Sequence, residues 1–399
     1  MSPLALTSFT ATSAIGRGLE ATCASLHAAR SGLAPCHFET VCLDTCIGEV
    51  AGVDAVALPP GLAEFECRNN RLAWLGLTQD GFAAAVAACA GRHRPGRVGV
   101  FLGTSTSGIL ETELAYRRRD PASGALPKEF HYRGAHNTFS LAAFVRQALL
   151  LTGPAAVISS ACSSSAKAFA SAQRAIDSGL IDAAVVGGVD SLCLTTLYGF
   201  HSLQLVSPHP CRPFDASRDG ISIGEAAAFA LLERAAAGAD AADVVLLGAG
   251  ESSDAYHMSA PPPDGRGARA AMLRALAAAG LGPDDIEYIN FHGTGTASND
   301  EAEGRAVAGV LGSAVPGSST KGATGHTLGA AGALEAVICA LALRHGLMPA
   351  GVNTTVVDPT LPVSYLQENR RGRLSCVMSN SFGFGGSNCT LIFARADRT

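Results

Sequence analysis

Val157-Ile158-Ser159-Ser160-Ala161-Cys162-Ser163-Ser164-Ser165-Ala166 is the stretch on which the reading of the chain turns. A short apolar run ends at a cysteine set among small residues, and an alanine-rich segment follows to about residue 177. The pattern predicts a strand, a sharp turn and a helix, with Cys162 at or beside the helix N-terminus. Free N–H groups and the positive end of the helix dipole at that point favour the thiolate, the reactive form of cysteine. A buried cysteine acting as a small hydrophobe fits the same local pattern, so the choice falls to the rest of the chain.

With 399 residues the chain exceeds one average domain and predicts two halves or one large double-layered unit. Hydrophobic residues make up 48%, enough for a sizeable core, and a net charge of −5 leaves no footprint for nucleic acid or an anionic membrane. The twelve cysteines are scattered, the first residues show no basic-then-apolar leader, and no uninterrupted apolar run reaches membrane-helix length. These features predict a soluble cytoplasmic protein with reduced thiols and no membrane span. Cys36, His37, Cys42 and Cys46 lack the paired C-x-x-C spacing of a zinc site, and no metal is expected.

Apolar strands and alanine-rich helices alternate along both halves. Strands are predicted over 4–16, 97–102, 183–189, 226–232, 244–248, 286–291, 373–378 and 389–393. Helices are predicted over 19–29, 72–90, 140–151, 267–279, 300–311 and, as one long buried helix, 328–344. Residues 33–70, 120–138 and 319–325 read as loops, and Arg117, Arg118 and Arg119 as a solvated basic face. The alternation argues for an α/β fold with largely parallel sheets covered on both faces. Several strands end in Gly/Ser/Thr turns, where α/β folds place their ligand sites.

Three further clusters carry chemistry. His292 lies in H-G-T-G-T directly after a strand. Lys321 lies in S-T-K-G-A-T-G-H, with His326 five residues on. Phe384 lies in S-F-G-F-G-G-S-N between two strands. Each alone also reads as a structural histidine, a surface lysine or a tight connection. No G-x-x-x-x-G-K-[ST] or strand-linked G-x-G-x-x-G is present, so neither glycine loop is a nucleotide motif. Jointly they describe one mechanism. A thiolate accepts an acyl group, two imidazoles stabilise an enolate, and backbone N–H groups form an oxyanion hole. Loss of carbon dioxide supplies the carbanion, so no carboxylate base is needed.

Five segments in order, S-S-A-C-S-S-S-A, R-P-F-D-A-S-R-D-G, H-G-T-G-T, T-K-G-A-T-G-H-T-L-G-A-A-G and S-N-S-F-G-F-G-G-S-N, resemble the elongating β-ketoacyl-acyl carrier protein synthases of the thiolase-like superfamily. The resemblance implies a five-layered α/β/α/β/α duplicated fold. It implies an N-terminal half over 1–240 with the nucleophile, and a C-terminal half over 241–399 with the histidines, lysine and glycine gate. It implies Cys162 as acyl acceptor, His292 and His326 as decarboxylating pair, and Lys321 as their support, ion-paired with Glu335. Phe384 would be the gate, its N–H joining that of Cys162 in the oxyanion hole. Thr294 and Thr296 would bind the phosphopantetheine arm of the acyl carrier protein, and Thr106 and Phe382 would line the substrate site. No cofactor beyond that carried arm is implied. The implied partners are the carrier protein and a second subunit, in a homodimer or in a heterodimer with a related synthase subunit.

The first strand lacks the family's V-x-I-T-G-x-G phrase, the turn at 103–108 carries Thr104 to Ser107, and the loop at 203–210 lacks an arginine often used for docking. These departures leave primary fatty-acid synthesis and a specialised polyene or polyketide-like pathway both open. A non-condensing, chain-length-determining partner subunit and a simple cysteine hydrolase or acyltransferase are the rival readings. The retained Cys162 speaks against the first, and the lack of a G-x-[SC]-x-G elbow against the second.

Overall fold

The computed structural model describes residues 2–235 and 243–398. Its sheet strands are β1 (Leu4–Ser13), β2 (Val98–Gly103), β3 (Ala155–Ile158), β4 (Ala183–Asp190), β5 (Ala226–Arg234), β6 (Val244–Ser253), β7 (Tyr288–Asn290), β8 (Pro316–Ser318), β9 (Ser364–Tyr365), β10 (Cys376–Gly383) and β11 (Ser387–Arg395). They lie in the order β9-β8-β7-β10-β11-β6-β1-β5-β4-β2-β3.

A duplication is visible in that order. The first half runs β3-β2-β4-β5-β1, and the second repeats it as β8-β7-β10-β11-β6, with β9 added at the edge. Pairing directions also repeat. β2 is parallel to β3 and β4, as β7 is to β8 and β10. β5 is antiparallel to β4 and β1, as β11 is to β10 and β6. The halves join where β1 meets β6 antiparallel, at Leu4↔Leu246 and Ala5↔Val245. The expected boundary near residue 240 lies outside the described residues.

Strand periodicity sorts side chains into layers. Ala226, Ala228, Ala230 and Leu232 of β5 face one core, and Ala227, Phe229 and Leu231 face another. Cys389, Leu391 and Phe393 of β11 join the first core, while Ile392 and Ala394 join a third. The shared middle core holds the helices α1 (Ser164–Asp177) and α2 (Ala331–His345). Every residue of α2 from Ala331 to Leu343 is buried, so its apolar surface runs all round, as a central helix requires. Helices at Arg68–Leu77 and Ser140–Ala148 cover the outer face of one half, and Arg266–Ala279 and Ala297–Leu311 that of the other. Five layers result. Leu328–His345 is long and apolar enough to cross a membrane, but 89% of it is buried inside the fold.

Three expectations need correction. The sheet is mixed rather than largely parallel, since β1, β5, β6 and β11 run antiparallel to their neighbours. The helix expected over 72–90 is two helices, Arg68–Leu77 and Phe82–Arg92, bent by 74°. Asp80 and Gly81 adopt φ of 54° and 69° at the break. The break puts the Asp80 carboxylate 3.0 Å from Leu19 N–H, at the start of the helix Gly18–His27, and 2.7 Å from the Thr10 hydroxyl. A tertiary cap thus overrides helix propensity. The loop expected over 319–325 contains one helical turn, Lys321–Thr324.

Candidate active site

The segment after β3 folds as the sequence predicts, into a sharp turn and then α1. Ala161 sits in the left-handed region at φ 53°, a conformation that costs a non-glycine residue about 1–2 kcal/mol. Serine hydroxyls secure the turn. Ser163 Oγ donates to Ser160 O (2.9 Å), and Ser160 N–H donates to Ser164 Oγ (2.9 Å). Cys162 stands two residues before the first residue of α1 and is 4% exposed.

The neighbouring half brings in the other groups. The Cys162, His292 and His326 ligand atoms all lie within 4.8 Å of one another. The two imidazole rings are 5.3 Å apart between centroids and nearly perpendicular, at 84°. His292 follows β7, and its backbone is clamped by Glu303, whose carboxylate accepts the N–H groups of His292 and Gly293, each at 2.8 Å. Asn380 on β10 donates to the same carboxylate at 3.1 Å. Lys321 Nζ donates to the His292 carbonyl oxygen at 2.6 Å and lies 3.3 Å from His292 Nδ1. Its third partner is Glu335 on α2, as the resemblance implied, and all three residues are buried.

These contacts assign tautomers. A lysine ammonium has only donors, so His292 Nδ1 accepts and its proton sits on Nε2. His326 Nδ1 accepts the Leu328 N–H at 3.1 Å, which also puts its proton on Nε2. Burial first, then the Lys321 charge, holds both imidazoles well below their usual pKa, and His326 adds a further push on His292. The site therefore carries two neutral imidazoles. A cysteine and two histidines also form a metal-donor set, but the Lys321 ammonium against His292 opposes a divalent cation there.

The thiol departs from expectation. Burial pushes Cys162 up to about 11, although Lys321 and an N–H contact from Phe384 pull it down. Asp190 and Glu335 push it further up. The helix N-terminus does not make a resting thiolate here, because the desolvation of a buried sulfur outweighs it.

Phe384 packs on Phe200, with centroids 5.5 Å apart. Gly385 and Gly386 adopt φ of 77° and 76°, which L side chains rarely adopt. The loop is tethered by Asp254, whose N–H donates to Gly386 O (2.9 Å) and whose carboxylate accepts from Asn388 Nδ2 (2.7 Å). A cleft of about 590 Å³, open solvent included, reaches Cys162 and both histidines. Its apolar wall includes Phe200, Leu205, Ile221 and Phe382, and Thr294 and Thr296 line it with hydroxyls 2.9 Å apart. The turn that carries them is held by Asp300, which accepts the Thr294 N–H at 3.0 Å and the Phe214 N–H at 2.8 Å.

Thr106 needs correction. It is not among the residues that line the cleft, and its hydroxyl and N–H both point at Asp190, at 2.8 and 2.9 Å. Glu303, Asp254 and Phe200 were missed in the sequence. Only Glu303 left a signal there, as an acid on the helix following the His292 turn.

Two family descriptions match the chain, "Beta-ketoacyl synthase, N-terminal domain" over residues 71–237 and "Beta-ketoacyl synthase, C-terminal domain" over 244–355. The 3-oxoacyl-[acyl-carrier-protein] synthase 2 of Mycobacterium bovis is 40% identical over 249 residues, covering 59% of this chain and 60% of that protein, less than two thirds of its length. Nodulation protein E of Rhizobium meliloti is 36% identical over 306 residues, 74% of this chain and 75% of its own. A ketosynthase from Xenorhabdus doucetiae, solved in complex with its chain length factor, superposes with a TM-score of 0.88. It is 38% identical, covering 99% of this chain and 98% of the other. With these matches along its length and the Cys-His-His cleft at its centre, the chain belongs to the β-ketoacyl synthase family.

Proposed function

We propose that the protein is a 3-oxoacyl-[acyl-carrier-protein] synthase that extends an acyl chain by two carbons through decarboxylative Claisen condensation. The observation that carries this is one buried thiol within 4.8 Å of two neutral imidazoles. The Cys162 sulfur attacks the acyl thioester of the carrier, and its proton passes to the departing carrier sulfur as the carbon–sulfur bond breaks. The N–H groups of Cys162 and Phe384 hold the oxyanion. Malonyl-carrier then enters past Thr294 and Thr296. Its carboxylate leaves as carbon dioxide, and the Nε2–H groups of His292 and His326 stabilise the enolate oxygen. The enolate carbon attacks the acyl-Cys162 carbonyl and the sulfur departs as a thiolate that takes a proton from water to restore the thiol, giving the 3-oxoacyl-carrier.

Neutral imidazoles suit this task. An imidazole with its proton on Nε2 donates to a developing oxyanion. The Lys321 ammonium behind His292 adds a positive charge to the site.

The likeness to a ketosynthase solved with its chain length factor supports a second subunit of that kind as partner. Retention of every reacting group speaks against this chain being the non-condensing partner itself. The purified chain, with and without a chain-length-factor subunit, is to be given acyl- and malonyl-carrier protein. A 3-oxoacyl product matched by carbon dioxide is expected. Free acid without condensation would point to the hydrolase reading instead.

A further inference from the structure

Asp190 ends β4 fully buried, and its carboxylate collects donors from both halves of the molecule. Oδ1 accepts the hydroxyls of Thr104 (2.6 Å) and Thr106 (2.8 Å) and the Thr106 N–H (2.9 Å). The Ser105 N–H lies 2.8 and 2.9 Å from the two oxygens. Oδ2 accepts the Gly329 N–H at 2.6 Å, from the turn that follows His326.

Two arms run from this carboxylate to the reacting groups. On one side Ser105 Oγ donates to the carbonyl of Ala161 (3.3 Å), the left-handed residue before Cys162. On the other, Gly329 is fixed beside Leu328, whose N–H holds His326 Nδ1. The approach requires glycine, since a Cβ at position 329 would stand 2.7 Å from Asp190 Oδ2 and 2.8 Å from Ser105 N. Asp190 itself does not line the cleft.

We propose that Asp190 is a positioning residue whose carboxylate sets the separation of Cys162 and His326 by clamping the nucleophile turn and the histidine turn to one point. This rests on the roles given above to those two groups. Both turns carry left-handed non-glycine residues, Ala161 and Leu328, and such backbone persists only where surrounding contacts over-determine it.

Asp190→Asn keeps the shape, but its NH₂ meets a backbone N–H whichever way the amide sits, that of Thr106 or that of Gly329, so one of the two turns loses an acceptor. The full chain is to be assayed for thermal unfolding, for acyl transfer to Cys162, for carbon dioxide release and for iodoacetamide alkylation against pH. We expect cooperative unfolding, condensation slower by about a hundredfold and the KM for malonyl-carrier within about twofold of the parent. We also expect the alkylation profile of Cys162 to move to lower pH, because a negative charge near the sulfur is gone. The buried Cys211 and Cys339 should stay unreacted. A more reactive Cys162 in a slower enzyme, beside Cys211 and Cys339 that stay unreacted, is a signature that a loosened fold does not give.

Condensation within about twofold of the parent, or Cys211 and Cys339 alkylated in step with Cys162, would overturn the proposal. Should Asp190→Asn not fold, Ser105→Ala decides, because it cuts only the arm to Ala161. Slowed acyl transfer with unchanged carbon dioxide release supports the clamp, and no change in either overturns it. A parent chain that makes no 3-oxoacyl product sinks the condensing reading instead, and the alkylation profile still tests the clamp.

Discussion

Lys321 spends all three of its donors on two residues, with the His292 carbonyl and His292 Nδ1 on one side and the Glu335 carboxylate on the other. The lysine thereby fixes the position of His292, its tautomer and the charge behind it. Burial pushes Glu335 up to about 7 while Lys321 pulls it down, and among the described residues Glu335 Oε2 has no hydrogen-bond partner. Removing the lysine alone strands a buried carboxylate.

Lys321→Ala should therefore lose both stability and decarboxylation. Breaking one side of a buried pair costs about 3–5 kcal/mol. Urea unfolding should show that loss, and carbon dioxide release from malonyl-carrier should fall steeply. The double variant Lys321→Met, Glu335→Gln should regain most of the stability without regaining decarboxylation. Recovery of both together would mean that Lys321 serves the fold alone.

A thiol pushed up to about 11 makes a definite pH prediction. Below that value the thiolate fraction rises about tenfold per pH unit, so alkylation of Cys162 by iodoacetamide should climb from pH 7 to 10 without a plateau. A plateau near pH 7 would mean a thiolate at rest. Loss of the Lys321 charge pushes the thiol further up, so Lys321→Ala should alkylate more slowly than the parent at every pH in that range.

Glu303 reports on stability against pH. Burial raises its carboxyl from 4.5 to about 7, against the pull of the His292 and Gly293 N–H groups. A folded pKa above the unfolded value adds stability that is full below about 4.5 and lost as pH rises through about 7. That contribution is on the order of 3 kcal/mol. Glu303→Gln does not titrate, so its deficit against the parent should grow as pH falls from 7.5 to 4.5. A deficit independent of pH would place the Glu303 pKa in the ordinary range.

The architecture and the reacting residues were legible in the sequence for a physical reason. Strand-end turns with small residues keep their composition wherever backbone must approach a substrate, so Cys162, His292 and the Phe384 loop stand out. The Lys321–Glu335 pair was legible through the family resemblance, since a lysine and a glutamate fourteen residues apart carry no local signal. The break at Asp80–Gly81 was not legible, because its cause is a contact with Leu19 and Thr10, 61 and 70 residues away. The state of the Cys162 thiol was not legible either. Helix-terminus position is local, but desolvation depends on both halves closing over the sulfur. Thr106 reads as a polar pocket residue until the fold places Asp190 beneath it.

The glycine loop allows a sharper test of the gate. Gly386 adopts φ 76°, and a Cβ there would stand 2.7 Å from Asp254 Cβ. Gly386→Ala should displace the loop and the Phe384 N–H with it. Loss of an oxyanion donor slows turnover by about 10²–10³-fold, whereas the backbone strain costs only about 1–2 kcal/mol. Single-turnover acyl transfer should therefore fall far more than thermal stability. Equal losses would make the loop a structural hairpin.

The central claim is that Cys162 carries the acyl chain and passes it to a decarboxylated malonyl unit. Mass spectrometry of the Cys162 peptide after incubation with acyl-carrier protein tests it most directly. The acyl mass should appear on Cys162, vanish when malonyl-carrier is added, and reappear as 3-oxoacyl-carrier lengthened by two carbons. Product formed with no acyl mass on Cys162, or formed equally by Cys162→Ala, would contradict it.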